Sequence, residues 1–294
     1  MATVSARAAW WLAIRPATLT ASAAPVLVGT GAAWADGAFA AGPALAALVG
    51  ASLLQVGANF ANDVFDFERG ADTEERLGPQ RATQQGWISA AQMKRAMWLA
   101  FAGAMLAGLY LTSVAGWPVM ALGLLSIAAA YLYTGGPKPY GYLGLGDLSV
   151  FVFFGFGAVA GTYYVQAHDV STLSLWASVP VGALATAILV VNNLRDIETD
   201  RRANKLTLAV RLGDATTRRY YALLLAMAYL VPAYLVLAGH AGAWALLPWL
   251  SLPLAVRLAR RMGSERGLSL NGCLVQTARL EVVFGVLFAL GLAL

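Results

Sequence analysis

Two stretches of the chain combine amide, carboxylate and cationic side chains at helical spacing. The first runs Asn62-Asp63-Val64-Phe65-Asp66 and continues to Asp72; the second runs Asn192-Asn193-Leu194-Arg195-Asp196 and continues to Asp200. Asp63 and Asp66 are three residues apart, and Asn192, Asp196 and Asp200 are spaced by four, so on a continued helix each set lines one face. Carboxylates stacked in this way repel one another unless a cation lies between them. Hard oxygen donors with amide oxygens beside them suit Mg²⁺, which binds through one or two carboxylates plus substrate phosphates. His and Cys are absent from both stretches, which argues against zinc. Arg76, Arg81, Lys138, Arg201 and Lys205 can then reach diphosphate oxygens that the metal leaves uncovered. Taken alone, either stretch is equally a solvated loop that sets topology. Two matching stretches with basic partners favour metal and diphosphate binding.

The elements that must carry these residues are apolar. Of the 294 residues, 59% are hydrophobic and 12% charged, where a soluble domain carries about 25% charge. Apolar runs of roughly 18 or more residues recur along the chain, the length of a membrane-spanning helix. They are too long and unalternating for barrel strands, so an all-α integral membrane protein is expected. Nine transmembrane helices are placed at 17–35, 40–62, 96–114, 117–133, 148–167, 176–193, 219–239, 241–256 and 272–294.

The connections alternate in charge. Arg7 and Arg15 precede the first span, and the 63–95 loop holds Arg69, Arg76, Arg81, Lys94 and Arg95. Lys138 lies in the 134–147 loop, six basic residues lie between Arg195 and Arg218, and Arg257, Arg260, Arg261 and Arg266 follow the eighth span. The other four connections, near Asp36, Ser113–Trp117, His168–Asp169 and His240, contain no Lys or Arg. This places the N-terminus in the cytoplasm and the C-terminus outside. It also accounts for the net charge of +5 without a nucleic-acid partner. All nine Trp lie near proposed span ends or in loops, as interfacial belts do. Ala33-Trp34-Ala35 mimics a signal-peptidase site, but removing the first span would invert the charge pattern. Cys273, the single cysteine, reads as a small packing residue.

Nine of the fifteen acidic residues fall in 63–75 and 194–200, inside the two longest cytoplasmic loops, and loops of such length are usually functional or disordered. The two motifs, starting at 62 and 192, each follow an inward-running span. They read as diverged halves of one domain, 1–294, related by an axis along the membrane normal.

These residues resemble the intramembrane aromatic prenyltransferase superfamily, and within it the branch acting on 1,4-dihydroxy-2-naphthoate. The resemblance is carried by NDVFDFERGADTEERLGPQRATQQGWIS (62–89), YTGGPKPYGYLGLGDLSVFVFFG (133–155) and NNLRDIETDRRANKLTLAVRLG (192–213). Asp72 follows Asp66 by six, as in the naphthoate branch; the hydroxybenzoate spacing would put the third Asp at Gly70. Asn204 and Leu206 depart from the expected Gly and polar residue around Lys205, although Asn also tolerates the left-handed backbone.

The resemblance implies transfer of a polyprenyl group from polyprenyl diphosphate to 1,4-dihydroxy-2-naphthoate, with loss of CO₂, in menaquinone synthesis at the cell inner membrane, the site facing the cytoplasm. It implies Mg²⁺ on Asp63 and Asp66 and again on Asp196 and Asp200, with Asn62, Asn192 and Asp72 supporting. Tyr131 and Tyr133 are candidates to face the allylic cation, or are interfacial tyrosines. Asp147 reads as the N-cap of the fifth span or as a catalytic or acceptor-orienting group. Arg15 either meets the acceptor carboxylate or anchors topology. Arg279 and Glu281, inside the ninth span, stay unassigned. Homogentisate, 4-hydroxybenzoate and phytyl chemistry on the same fold are the alternatives. A transporter would place its ionisable sites at mid-membrane.

Overall fold

A computed structural model describes residues 4–71 and 77–294; Asp72 and Arg76 lie outside them. The chain is helical, with no strand among the described residues. The helices are α1 (Ala6–Ile14), α2 (Pro16–Ala35), α3 (Ala41–Glu68), α4 (Ala90–Ala115), α5 (Trp117–Leu132), α6 (Gly146–Val150), α7 (Gly161–Ala167), α8 (Thr172–Arg195), α9 (Ile197–Arg202), α10 (Leu208–Leu212), α11 (Asp214–Leu237), α12 (Leu252–Ser264) and α13 (Leu270–Ala293). A π-helical run, Phe151–Ala160, joins α6 to α7 into one rod, and a 3₁₀ segment, Ala243–Ser251, leads into α12.

Each of the nine predicted segments is helical. Among the described residues, six helices are long and apolar enough to cross a membrane by length and composition: α3, α4, the α6–α7 rod, α8, α11 and the helix ending in α13. The other three differ for local reasons. Pro16 cannot continue α1, so the first segment is the distal part of a pair bent by 46°. The fourth, α5, has 16 residues, about 24 Å of helix against a hydrocarbon core of about 30 Å. The eighth contains Pro248 and is 3₁₀ before it becomes the amphipathic α12.

The length of α3 explains where the first motif sits. Its 28 residues make about 42 Å of helix, longer than the apolar core, so its last turns carry Asn62, Asp63 and Asp66 beyond the apolar stretch. Ser89 and Gln92 form a capping box that starts α4, returning the chain after the loop.

Among the described residues, two apolar cores are larger than the third, which gathers Leu111, Ala115, Val119 and Val165. One of the two joins α2, α8, α11 and α13 through Val28, Leu184, Tyr221, Phe284 and Phe288. The other joins α1, α3 and α4 through Ala9, Phe60, Met93 and Met97. Small residues bring α2 and α13 close: a Cβ on Gly31 would lie 2.5 Å from the Ala289 carbonyl oxygen, the packing expected of helices in lipid. Leu99, Leu106, Leu125, Leu223 and Leu230 face outward.

Candidate functional site

A cavity of about 430 Å³ runs through the bundle. Its walls are largely apolar and come from α2, α3, α4, α5, the α6–α7 rod and α8; its polar end holds Asn62, Asp66, Arg81, Asn192, Asn193, Arg195 and Lys205. On α3, Gln55, Asn59, Asn62 and Asp66 all line it, the stripe expected of residues spaced by three and four.

The four acids have different surroundings. Asp66 accepts a hydrogen bond from Arg81 Nη2 at 2.9 Å and from the Tyr142 hydroxyl at 2.8 Å. Asp63 is off the cavity wall; its two oxygens accept the backbone N–H groups of Ala82 and Thr83 at 3.1 and 3.0 Å. In the second motif, Arg195 Nε and Nη2 grip Asp196 at 2.8 and 2.6 Å, and Nη2 also donates to Asn192 Oδ1 at 2.8 Å. Arg195 Nη1 donates to Asn271 on α13 at 2.8 Å, and Asn271 donates to the Leu77 carbonyl at 3.0 Å. Asp200 lies 3.6 Å from Lys205 Nζ.

The second motif departs from the predicted continuous face. α8 ends at Arg195, Asp196 occupies the cap with φ −95° and ψ 10°, and Asp200 belongs to α9. The turn after α9 uses Asn204 at φ 52°, the left-handed conformation expected where Gly was missing.

The segment between α5 and α6 closes over the first motif. The Thr134 hydroxyl donates to Asn62 Oδ1 at 3.1 Å, and Arg69 donates to the Thr134 and Gly136 carbonyls. Lys205 Nζ stands 5.4 Å from the centre of the Tyr142 ring, and the Leu206 N–H donates to the Tyr142 carbonyl at 3.0 Å. Tyr142 therefore touches both motifs' loops. Tyr133 lines the cavity with its ring held between Gly141 and Gly146; a Cβ on Gly146 would stand 2.8 Å from the Tyr133 hydroxyl. Tyr131 turns the other way, stacking on Trp98 at 5.6 Å and meeting Phe65 edge-on at 5.2 Å.

The basic candidates divide. Arg81 and Lys205 line the cavity, as does Arg15. Lys138 is exposed and away from the wall, and Arg201 is an exposed partner of Glu198 at 3.1 Å. Asp147 is not the N-cap expected of it: Leu145 holds that position and the helix starts at Gly146. Asp147 lies in the first turn, where its charge still favours the helix N-terminus. It is 4% exposed, behind the wall, and its Oδ2 has no hydrogen-bond partner among the described residues. Tyr142, Thr134, Arg195 and Asn271 were missed as site residues. The spacing of Arg195, three after Asn192, would have placed it on the motif's own face.

The donors fit a hard divalent ion. Each motif offers an amide and a carboxylate four residues apart, Asn62 with Asp66 and Asn192 with Asp196. No group of three or more His, Cys, Asp or Glu side chains is clustered for a metal among the described residues. A sparse all-oxygen set of this kind suits Mg²⁺, which keeps waters and takes substrate phosphate into its sphere. Arg81 and Arg195 now balance the carboxylates.

Fold and site together define an all-helical, multi-pass membrane protein with two amide–carboxylate motifs at one end of a largely apolar cavity. The chain belongs to the UbiA prenyltransferase family, whose model matches residues 22–267. It is 41% identical over 298 residues to the 1,4-dihydroxy-2-naphthoate octaprenyltransferase of Escherichia coli, covering 99% of this chain and 97% of that one. It is 46% identical over 260 residues to the protein so named from Mycobacterium tuberculosis, covering 88% of each. An apo UbiA homologue from Aeropyrum pernix superposes with a TM-score of 0.69 at 17% identity, over 92% of this chain and 96% of the other. A UbiA homologue from Archaeoglobus fulgidus bound to GPP and Mg²⁺ gives 0.66 at 14% identity, over 97% and 99%. At such identities the likeness is one of fold.

Proposed function

We propose that this protein transfers a polyprenyl group from polyprenyl diphosphate to 1,4-dihydroxy-2-naphthoate, releasing CO₂ and diphosphate and giving the demethylmenaquinone skeleton. The observation that carries the reading is the union of two amide–carboxylate motifs and buried cations with one apolar cavity, in a chain 41% identical over nearly its whole length to a naphthoate octaprenyltransferase. Homogentisate, 4-hydroxybenzoate and phytyl chemistry on the same fold remain the alternatives.

Asn62 with Asp66, and Asn192 with Asp196, would hold Mg²⁺, with Asp200 and Asp72 supporting. When bound, Mg²⁺ supplies charge neutralisation of the diphosphate oxygens. Asp63 is proposed as the anchor of the 81–83 turn instead of a ligand, because both its oxygens are committed to backbone donors. Arg81, Arg195 and Lys205 are placed to take diphosphate oxygens as charge develops on them. Arg76 stays a proposed member of that set, and Lys138 and Arg201 would join only if their loops moved.

The C–O bond at the prenyl carbon breaks and its electron pair leaves with diphosphate. The Tyr133 ring faces the allylic cation, and the apolar wall excludes the water that would quench it. The electron-rich naphthoate ring attacks through its carboxyl-bearing carbon. Loss of CO₂ returns the electron pair to the ring, so no strong protein base is required. Arg15 meets the acceptor carboxylate. The nine segments cross the inner membrane with the N-terminus and the site cytoplasmic, the two motifs belonging to related halves of one domain.

Prenyl transfer in liposomes, with and without Mg²⁺, tests the reading. Prenylated product from 1,4-dihydroxy-2-naphthoate only with Mg²⁺ supports it. Prenylation of a different phenol, with the naphthoate inert, replaces the acceptor and retains the site.

A further inference from the structure

The cavity wall carries a further cationic residue, Arg15. Arg15 links α1 to α2 with φ 56°, a left-handed backbone that a non-glycine residue keeps only where its surroundings over-determine it. Here they do. Asn59, 2% exposed on α3, donates one N–H to the Ile14 carbonyl and the other to Thr18 Oγ1, both at 2.8 Å. Its side-chain oxygen accepts from Gln55 at 3.2 Å. Thr18 donates its hydroxyl and its backbone N–H to the Arg15 carbonyl at 2.9 and 2.8 Å. The elbow is thus fastened to α3 on both sides of Arg15, and Arg15, Thr18, Gln55 and Asn59 all line the cavity.

The elbow meets α3 at Asn59, three residues before Asn62 and seven before Asp66, about 4.5 and 10 Å along the helix axis, while Arg81 and Tyr142 gather at Asp66 itself. A guanidinium presents a planar fork that matches a carboxylate. A site built to pair with a charged group discriminates against the same ligand lacking it.

We propose that Asn59, with Thr18 and Gln55, is a positioning residue that fixes the Arg15 elbow as the receptor for the carboxylate of an aromatic acid acceptor. The inference rests on the aromatic acceptor of the proposed function and adds what holds its receptor in place.

Equilibrium binding without turnover tests it, on the full-length protein in detergent. The probes are 1,4-dihydroxy-2-naphthoate and 1,4-naphthalenediol, the same ring without the carboxylate, with farnesyl diphosphate and Mg²⁺ measured separately. The wild type is expected to prefer the carboxylated ring by at least about tenfold, the worth of a charge-assisted contact. Arg15→Gln and Asn59→Leu are expected to lose that preference while leaving the diol and farnesyl diphosphate affinities unchanged. Thr18→Val should lose part of it and decides the matter if Asn59→Leu does not fold. An unaltered preference in the foldable variants, or an equal loss of farnesyl diphosphate affinity, overturns the inference. Carboxylate preference without prenyl transfer overturns the proposed reaction and keeps the elbow; prenyl transfer without that preference does the reverse.

Discussion

Asp63 and Asp66 are three residues apart and have opposite fates. Asp66 faces the cavity between Arg81 and Tyr142, while Asp63 is spent on the Ala82 and Thr83 N–H groups. Asp63→Ala would strand two buried donors at about 1–3 kcal/mol each, so its first effect should be a lowered Tm in detergent. Asp66→Ala and Asp196→Ala should instead leave protein folded in the membrane with prenyl transfer down by at least about 100-fold. Wild-type-like turnover in either removes the metal assignment. The identity of the motif residues was legible because residue type and spacing are local properties. Which oxygen meets a backbone amide and which meets the cavity depends on the 81–83 turn, 15 or more residues away, and no local pattern states it. The same holds for Tyr142, whose hydroxyl reaches Asp66 across 76 positions.

Helices were legible wherever the apolar run was long enough, as in α3, α4 and α8. Breaks inside polar stretches were not. Asn192, Asp196 and Asp200 have the period of one continuous helix, yet Arg195 folds back onto Asp196 and Asn192 and α8 stops there. Asp147 looked like a cap because it follows Gly144-Leu145-Gly146, but Leu145 takes the cap position and α6 starts one residue before Asp147. Close packing makes further tests. Gly31→Val drives a side chain into the Ala289 backbone of α13 and should cost about 1–3 kcal/mol as overpacking, read as a lower Tm. Gly146→Val should press on the Tyr133 hydroxyl 2.8 Å from its Cβ and lower kcat more than it lowers Tm. Equal activity per folded molecule would remove Tyr133 from the allylic position.

For the whole molecule, the orientation proposed from the charge alternation can be tested directly, and the cavity gives the bundle a chemical polarity. With Cys273→Ala as background, cysteines introduced at Asp36 and Asp169 should be modified from outside intact cells by an impermeant thiol reagent. Cysteines at Lys138 and Arg201 should need permeabilised cells. The reverse pattern would invert the topology and put the site on the wrong side for its substrates. The most direct test of the account is stoichiometry with carboxyl-labelled 1,4-dihydroxy-2-naphthoate in liposomes. The account predicts one labelled CO₂ released per prenylated ring, dependent on Mg²⁺ and absent in Asp66→Ala. Prenylated product that retains the carboxyl label, or CO₂ release that persists without prenylation, would contradict attack through the carboxyl-bearing carbon.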